Sequence, residues 1–321
     1  MCKVKYFICP MSTQIIDAVI EMEDERLGLL PSRRQVDYDN GYVMNTKNFF
    51  NYVRSKSNII IERDHGGANQ GTIIGDEYKS YEFDSGHMDI IHIDPWKRYT
   101  NLQEGLFETI RNIEFIYYNN KKIQFEIGTE QSIRPFTINE MTEFVEGLDS
   151  KLSPLIFEQV QYFCIQSGVG LDIVNKRNIG IFSEDRMKQM IDIAKTYNKK
   201  TKEHNGDYLC EGEYRYRFEN GLDSINIGPE IAQIQTASYL EIMTPSEMDD
   251  FYNICLESGR FEKWVDSDFD ITDKEKLIMV CGHYNFKKLD IQFNNLSSTD
   301  DIDTIIKEKI KNKLTELLSY V

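Results

Sequence analysis

Asp64-His65-Gly66-Gly67 follows the short apolar run Ile59 to Ile61, at the point where the sequence turns from apolar to charged. A histidine just past a buried strand, beside a carboxylate and two glycines, suits a metal ligand next to a proton-transfer group. A histidine that only caps a loop gives the same string, so the motif needs partners elsewhere. His204, in Glu203-His204-Asn205-Gly206-Asp207, is the natural one, and His92, in His92-Ile93-Asp94, is a third. No HxH or HExxH spacing occurs, so a divalent cation here would draw His65, His204 and His92 from different strands. Asp64 is the candidate proton carrier, with Glu62 and Glu203 as further catalytic carboxylates and Glu126 and Glu130 nearby in the pattern.

Other chemistry-bearing residues also fall where apolar runs end. Ser167-Gly168-Val169-Gly170 follows one such run, and Asn226-Ile227-Gly228 ends another. Glycine-rich turns leading into helix N-termini present backbone N–H groups to phosphate oxygens, although ordinary turns share the composition. Ser167, Gly168, Gly170, Asn226 and Gly228 are therefore candidate phosphate contacts. Arg33, Arg34 and Arg63 could neutralise a phosphate or carboxylate in bidentate fashion. Adjacent residues of a strand face opposite ways, so Arg33 and Arg34 cannot both point inward, and at least one is a salt-bridge or surface residue. His87 lies in a polar loop and receives no role. Cys281-Gly282-His283-Tyr284 reads as a buried, hydrogen-bonded histidine.

The elements that must position these groups recur along the chain. Short apolar runs, each ending in polar or charged residues, appear near residues 5, 26, 58, 89, 123, 160, 199 and 223. Runs of this length are what strands buried on both faces look like. The run near 199, Lys-Lys-Thr-Lys-Glu-His, is the most polar. Between the runs lie helical patterns, such as Ile15, Ile16, Val19 and Ile20, then Leu102, Leu106, Ile110 and Ile113, then Met187, Met190, Ile191 and Ala194. Eight strands alternating with helices point to an α/β fold, a closed (β/α)8 TIM barrel over residues 1–245. In that fold the inward polar groups at the C-terminal strand ends converge on one bowl, where barrel active sites lie. Ile231 to Met243 supplies the eighth helix, and Pro245-Ser246 opens another with Ser246 as N-cap. Residues 246–321 form a mostly helical C-terminal appendage ending in an amphipathic helix from about Ile302 to Leu318, and residues 266–321 add nothing to the barrel wall.

Bulk composition narrows the function. The 321 residues are 40% hydrophobic and 28% charged, ordinary globular values. A formal net charge of −16 opposes general nucleic-acid binding, while leaving room for a local basic pocket. No stretch approaches the roughly 20 apolar residues of a membrane span, and no signal-peptide pattern is seen, so a cytoplasmic location is expected. Six cysteines without CxxC pairing read as reduced thiols.

The ordered series LLPSRRQVDYDNGY, IIERDHGG, IIHIDPW, FEIGTE, FCIQSGVG, KEHNGDY and SINIGPE resembles the accessory, so-called non-catalytic subunit family of tagatose-bisphosphate aldolase. The similarity runs over about residues 5–265. That family is related to the class II, zinc-dependent ketose-bisphosphate aldolases, which carry an Asp-His pair after one strand and two further zinc histidines on later strands. The resemblance implies that Asp64 and His65 match the pair, that His204 matches the later histidine, and that Ser224 to Glu230 matches the last strand and its phosphate loop. Where an aldolase needs the remaining histidine, this chain has Gln166. Either zinc chemistry is lost and the protein supports a catalytic aldolase subunit, or His92, Glu126 or Glu130 completes a different site. Charged groups crowded into one bowl strain a fold, which favours a working site. The expected function is a zinc-assisted, aldolase-like lyase acting on a phosphorylated sugar, alone as a homo-oligomer or with a catalytic partner. A non-catalytic subunit, or a sugar-phosphate isomerase or epimerase, are the alternatives.

Overall fold

A computed structural model describes residues 3–292 and 300–321. Eight parallel strands form one sheet: β1 (Tyr6–Ile8), β2 (Leu27–Leu29), β3 (Glu62–Gly66), β4 (Ile90–Ile93), β5 (Gln124–Ile127), β6 (Val160–Ile165), β7 (Lys200–Glu203) and β8 (Ser224–Ile227). The spatial order is β2-β1-β8-β7-β6-β5-β4-β3. Parallel bridges Leu29 to Ile61 and Ser32 to Asp64 join the two ends, so the sheet closes into the expected barrel. Each of the eight runs read from the sequence is one of these strands. The first is held on both sides, Tyr6 to Ile225 and Tyr6 to Leu27.

Between strands run α1 (Thr13–Glu21), α2 (Thr46–Arg54), α3 (Glu77–Ser85), α4 (Leu102–Asn119), α5 (Ile138–Lys151), α6 (Glu184–Thr196) and α7 (Glu211–Glu219); α8 (Pro229–Ile242) follows β8. Their ends follow local chemistry. Ser12 accepts from the Ile15 amide to start α1, and Thr137 with Glu140 forms a capping box on α5. Beyond the barrel lie α9 (Pro245–Ser258), α10 (Lys274–Cys281), α11 (Phe286–Gln292) and α12 (Asp300–Leu318). The N-cap of α9 is Thr244, not Ser246: Thr244 and Glu247 form the capping box, and Pro245 takes the first helical position, where its missing N–H costs nothing.

The appendage contributes no strand among the described residues, and Leu277 to Cys281 is helical. It nevertheless clasps the barrel. Ile306, Ile310 and Leu314 are buried, Lys307 and Lys311 pair with Glu21 at 2.7 and 2.6 Å, and Lys313 pairs with Glu230 at 2.9 Å. His283 is buried as expected, but neither ring nitrogen is hydrogen-bonded, and burial followed by the nearby Lys263 charge holds its pKa down at about 3. It therefore stays a neutral packing residue. No described helix is long and apolar enough to cross a membrane.

The polarity of β7 has a physical reason. Lys202 points into the barrel, where its ammonium bonds Glu62 of β3 and lies 2.8 Å from Glu126 of β5, over the Phe7 ring at 3.9 Å. Glu203, one residue on, points outward to Arg217 of α7 at 2.8 Å. A run that buries charge on both faces cannot look like an apolar strand, yet each charge has its partner.

Candidate metal centre

Asp64 and His65 are consecutive, and simple alternation would send them to opposite faces. The chain avoids this locally. The pairing of β3 with β4 shifts register between Arg63 and Gly66, and His65 adopts φ +46°. Left-handed backbone at a non-glycine residue costs of order 1–3 kcal/mol and persists only where surroundings impose it. Gly66 allows the bend: a Cβ there would lie 2.8 Å from Tyr81 and 2.9 Å from the His92 carbonyl. The outcome is that Asp64 and His65 both face the mouth.

Three imidazoles meet there. Ring centroids lie 5.0 Å apart for His65 and His204, 5.1 Å for His65 and His92, and 4.9 Å for His92 and His204. Each ring has one nitrogen engaged by a different acceptor. His65 Nδ1 donates to Asp94 at 2.6 Å, His92 Nε2 to the Gly128 carbonyl at 3.0 Å, and His204 Nε2 to Glu126 at 2.8 Å. A carbonyl can only accept, so the His92 tautomer is fixed, and the carboxylates orient the other two in the same sense. The opposite nitrogens are the ones a cation can take, displacing a proton where one is held. His92 Nδ1 has no hydrogen-bond partner, nor has buried Asp64 Oδ1, which lies 3.5 Å from His65 Nε2 and 3.7 Å from His204 Nδ1. The four candidate ligand atoms lie within 4.8 Å of one another.

This donor set fits a divalent cation. Buried polar atoms without partners are costly, and metal-ligating histidines characteristically donate their second N–H to a carboxylate or carbonyl. Electrostatics agree. Burial opposes charge on His65, but Asp64 and Asp94 outweigh it and raise its pKa to about 9, so the site attracts positive charge. Burial holds His92 down. Burial works against ionisation of Glu126 too, yet Lys202 and the histidines keep its carboxyl well below the usual range.

The other sequence candidates separate sharply. Glu62 lies beneath the histidines, bonded to Lys202, and has no access to the mouth; burial raises its pKa well above normal. Glu203 faces away, holding Arg217 and the Ser167 hydroxyl. Neither can touch a substrate. Arg63 is wholly buried on the outer face, bonded to Asp84 and to the Pro31 and Val36 carbonyls. Of the two adjacent arginines, Arg33 is the salt-bridge residue, paired with Asp37 at 2.8 Å and Asp76 at 2.7 Å. Arg34 forms no ion pair among the described residues, and both arginines border the pocket.

The expected phosphate loops are already satisfied. The Ser167 amide donates to Glu203, the Gly170 amide to Asn178, and the Gly228 amide to Asp207 at 2.9 Å. Gly168 turns at φ +102° against Ile181. Asn226 differs: both amide atoms are unpartnered and the residue lines the pocket. Gln166, which stands where the resemblance puts a zinc histidine, braces the 129–136 loop through Thr129, Arg134 and Phe136, while His92 stands beside His65 and His204.

The pocket over the histidines has a volume of about 170 Å³. At about 10–15 Å³ per enclosed water, that is room for on the order of ten waters, a space suited to a small polar molecule. Its rim carries residues that the sequence did not single out: Lys97 after β4, and Lys263, Trp264 and Tyr284 from the appendage. Asp94 was legible, since His92 and Asp94 two residues apart share a face. Lys263 gave no signal, because nothing local ties it to the barrel mouth.

No known protein family matches the chain by sequence, and no functionally curated protein does. Solved structures do resemble it. A probable tagatose 6-phosphate kinase from Sinorhizobium meliloti aligns over 99% of this chain and 100% of its own, with 14% identity and a TM-score of 0.71. Fructuronate-tagaturonate epimerase UxaE from Cohnella laeviribosi aligns over 99% of this chain and 81% of its own, with 8% identity and a TM-score of 0.64. A fructose-bisphosphate aldolase from Campylobacter jejuni aligns over 92% and 90%, with 11% identity and a TM-score of 0.54. At these identities the likeness is one of fold alone.

Proposed function

We propose that the protein is a metal-dependent enzyme acting on an anionic sugar, with aldolase-like cleavage of a carbon–carbon bond next to a carbonyl. The observation that carries this reading is the set of donor atoms on His65, His92, His204 and Asp64, within 4.8 Å of one another, while the other ring nitrogens are all held. His65, His92 and His204 would hold the cation, for which zinc suits three imidazoles. A bound divalent cation there supplies Lewis-acid polarisation of a substrate oxygen.

The chain's own residues do the rest. Asp64, with Oδ1 free, takes the proton from the hydroxyl beside the breaking bond and returns it in the reverse direction. Asn226 offers a donor and an acceptor to sugar hydroxyls. Glu130, held by Ser132 and Asn205, keeps its charge near the histidines; burial opposes this, but His65 and His204 hold its pKa below normal. Trp264 and Tyr284 wall off one side from water. Inversion of a carbon centre would use the same proton carrier.

Asp64→Asn separates this reading from that of a non-catalytic subunit. The change is nearly isosteric and removes the group that moves the proton. Turnover on ketose phosphates should fall about 10²–10⁴-fold, the usual contribution of a general acid–base group, with thermal stability retained. Wild-type protein inactive on every ketose phosphate, with and without added zinc, would leave the supporting-subunit role, whereas an Asp64→Asn protein with unchanged turnover would remove Asp64 from the mechanism.

A further inference from the structure

We infer that the pocket selects a sugar with a single anionic end, a phosphate monoester or a carboxylate, and disfavours one with an anion at both ends. This deepens the proposed sugar-site reading and rests on it. The anionic end is held at the rim by Arg34, Lys97 and Lys263.

These three cations come from distant parts of the chain: the loop after β2, the loop after β4 and the short turn after α9. Among the described residues none is in an ion pair, whereas Arg33, Arg63 and Arg217 each are. Lys263 rests over the Trp264 ring at 4.1 Å, which positions its ammonium without neutralising it. Burial, and then repulsion from Arg34, depresses both Lys97 and Lys263; the lysines also repel each other. Like charges gathered at one rim, none in an ion pair and pulled from a distance by Glu130 and Asp64, are explained by an anion supplied from outside.

The other end of the mouth is closed to such a group. The Asp207 carboxylate sits at the N-terminus of α8, its Oδ1 accepting from the Gly228 amide at 2.9 Å and the Glu230 amide at 2.8 Å. A carboxylate oxygen of the chain therefore occupies the position a ligand phosphate oxygen would take. Asp207 is 1% exposed, so a ligand cannot easily push it aside, and Glu230 adds negative charge beside it. The β6 loop is likewise consumed, its Ser167 and Gly170 amides bonded internally. A second phosphate would find these backbone amides taken and would face Asp207.

The test is calorimetric titration of the full chain with tagatose 6-phosphate, tagatose 1,6-bisphosphate and a hexuronate. One single-anion sugar should bind at least tenfold tighter than the bisphosphate, and which one it is identifies the anion. The double variant Lys97→Ala with Lys263→Ala, both at the solvent-reachable rim, should weaken that binding at least tenfold. Asp207→Asn should narrow the discrimination against the bisphosphate. Equal or tighter binding of the bisphosphate, unchanged affinity in the rim variant, or no binding by any of the three would overturn the inference. Turnover of a bisphosphate with added metal would sink this inference and leave the enzyme reading intact. Rim-dependent binding of a single-anion sugar without metal-dependent turnover would do the reverse.

Discussion

Two sets of polar groups at the barrel mouth are treated in opposite ways. At the ends of β3, β4 and β7, each histidine is held at one nitrogen and left open at the other, and Asp64 Oδ1 has no partner. In the loops after β6 and β8, backbone donors that look ready for a ligand are taken by Glu203, Asn178 and Asp207. Both sets are rich in residue types associated with function. What separates them is whether the chain supplies the partner itself, and unfinished bonding rather than composition marks the place where something else binds.

The sharpest way to break this comparison is at Glu203. If it belongs to the satisfied set, Glu203→Gln strands Arg217 in the interior and should cost about 3–5 kcal/mol, the usual effect of removing one member of a buried pair. Urea unfolding would show a lower midpoint with an unchanged slope. Full stability with lost turnover would instead move Glu203 into the catalytic machinery.

A smaller effect sharpens the cationic rim. Lys263 has its pKa pulled down to about 8, by burial and then by Arg34 and Lys97, against the opposing pull of Glu130 and Asp64. It is charged below that value and neutral above it. Affinity for a single-anion sugar should therefore fall as pH rises from 7 to 9. The loss of one screened charge is worth about 1 kcal/mol, roughly fivefold. Asp207, raised to about 7 by burial, gains its negative charge over the lower part of the same range and pushes the same way. Affinity that is flat or rising across this range would remove Lys263 from anion binding.

Much of this was legible in the sequence. The eight strands were, because a run buried on both faces ends abruptly where the chain meets the bowl, even at the polar β7. The meeting of His65 with His204 was legible too, since a closed barrel brings distant strand ends together. Three things were not. The sequence marks Arg33 and Arg34 alike, and only the positions of Asp37 and Asp76 decide which is consumed. Ser167 to Gly170 and Gly228 have the composition of phosphate loops, but the partners that satisfy them lie 8 to 36 residues away. Lys263 reaches the mouth through the docking of the appendage, a tertiary event with no local signature.

The central claim is that His65, His92 and His204 hold one cation, with His92 taking the place that Gln166 vacates. Metal analysis of the purified protein, together with anomalous scattering from its crystals, tests it most directly. About one ion per chain is expected, with its density among the three imidazoles, and His92→Ala should lose more affinity than the ~10–100-fold typical of an outer-sphere change. Protein that binds no divalent cation, a cation bound elsewhere, or a His92→Ala variant that binds like the wild type would contradict it.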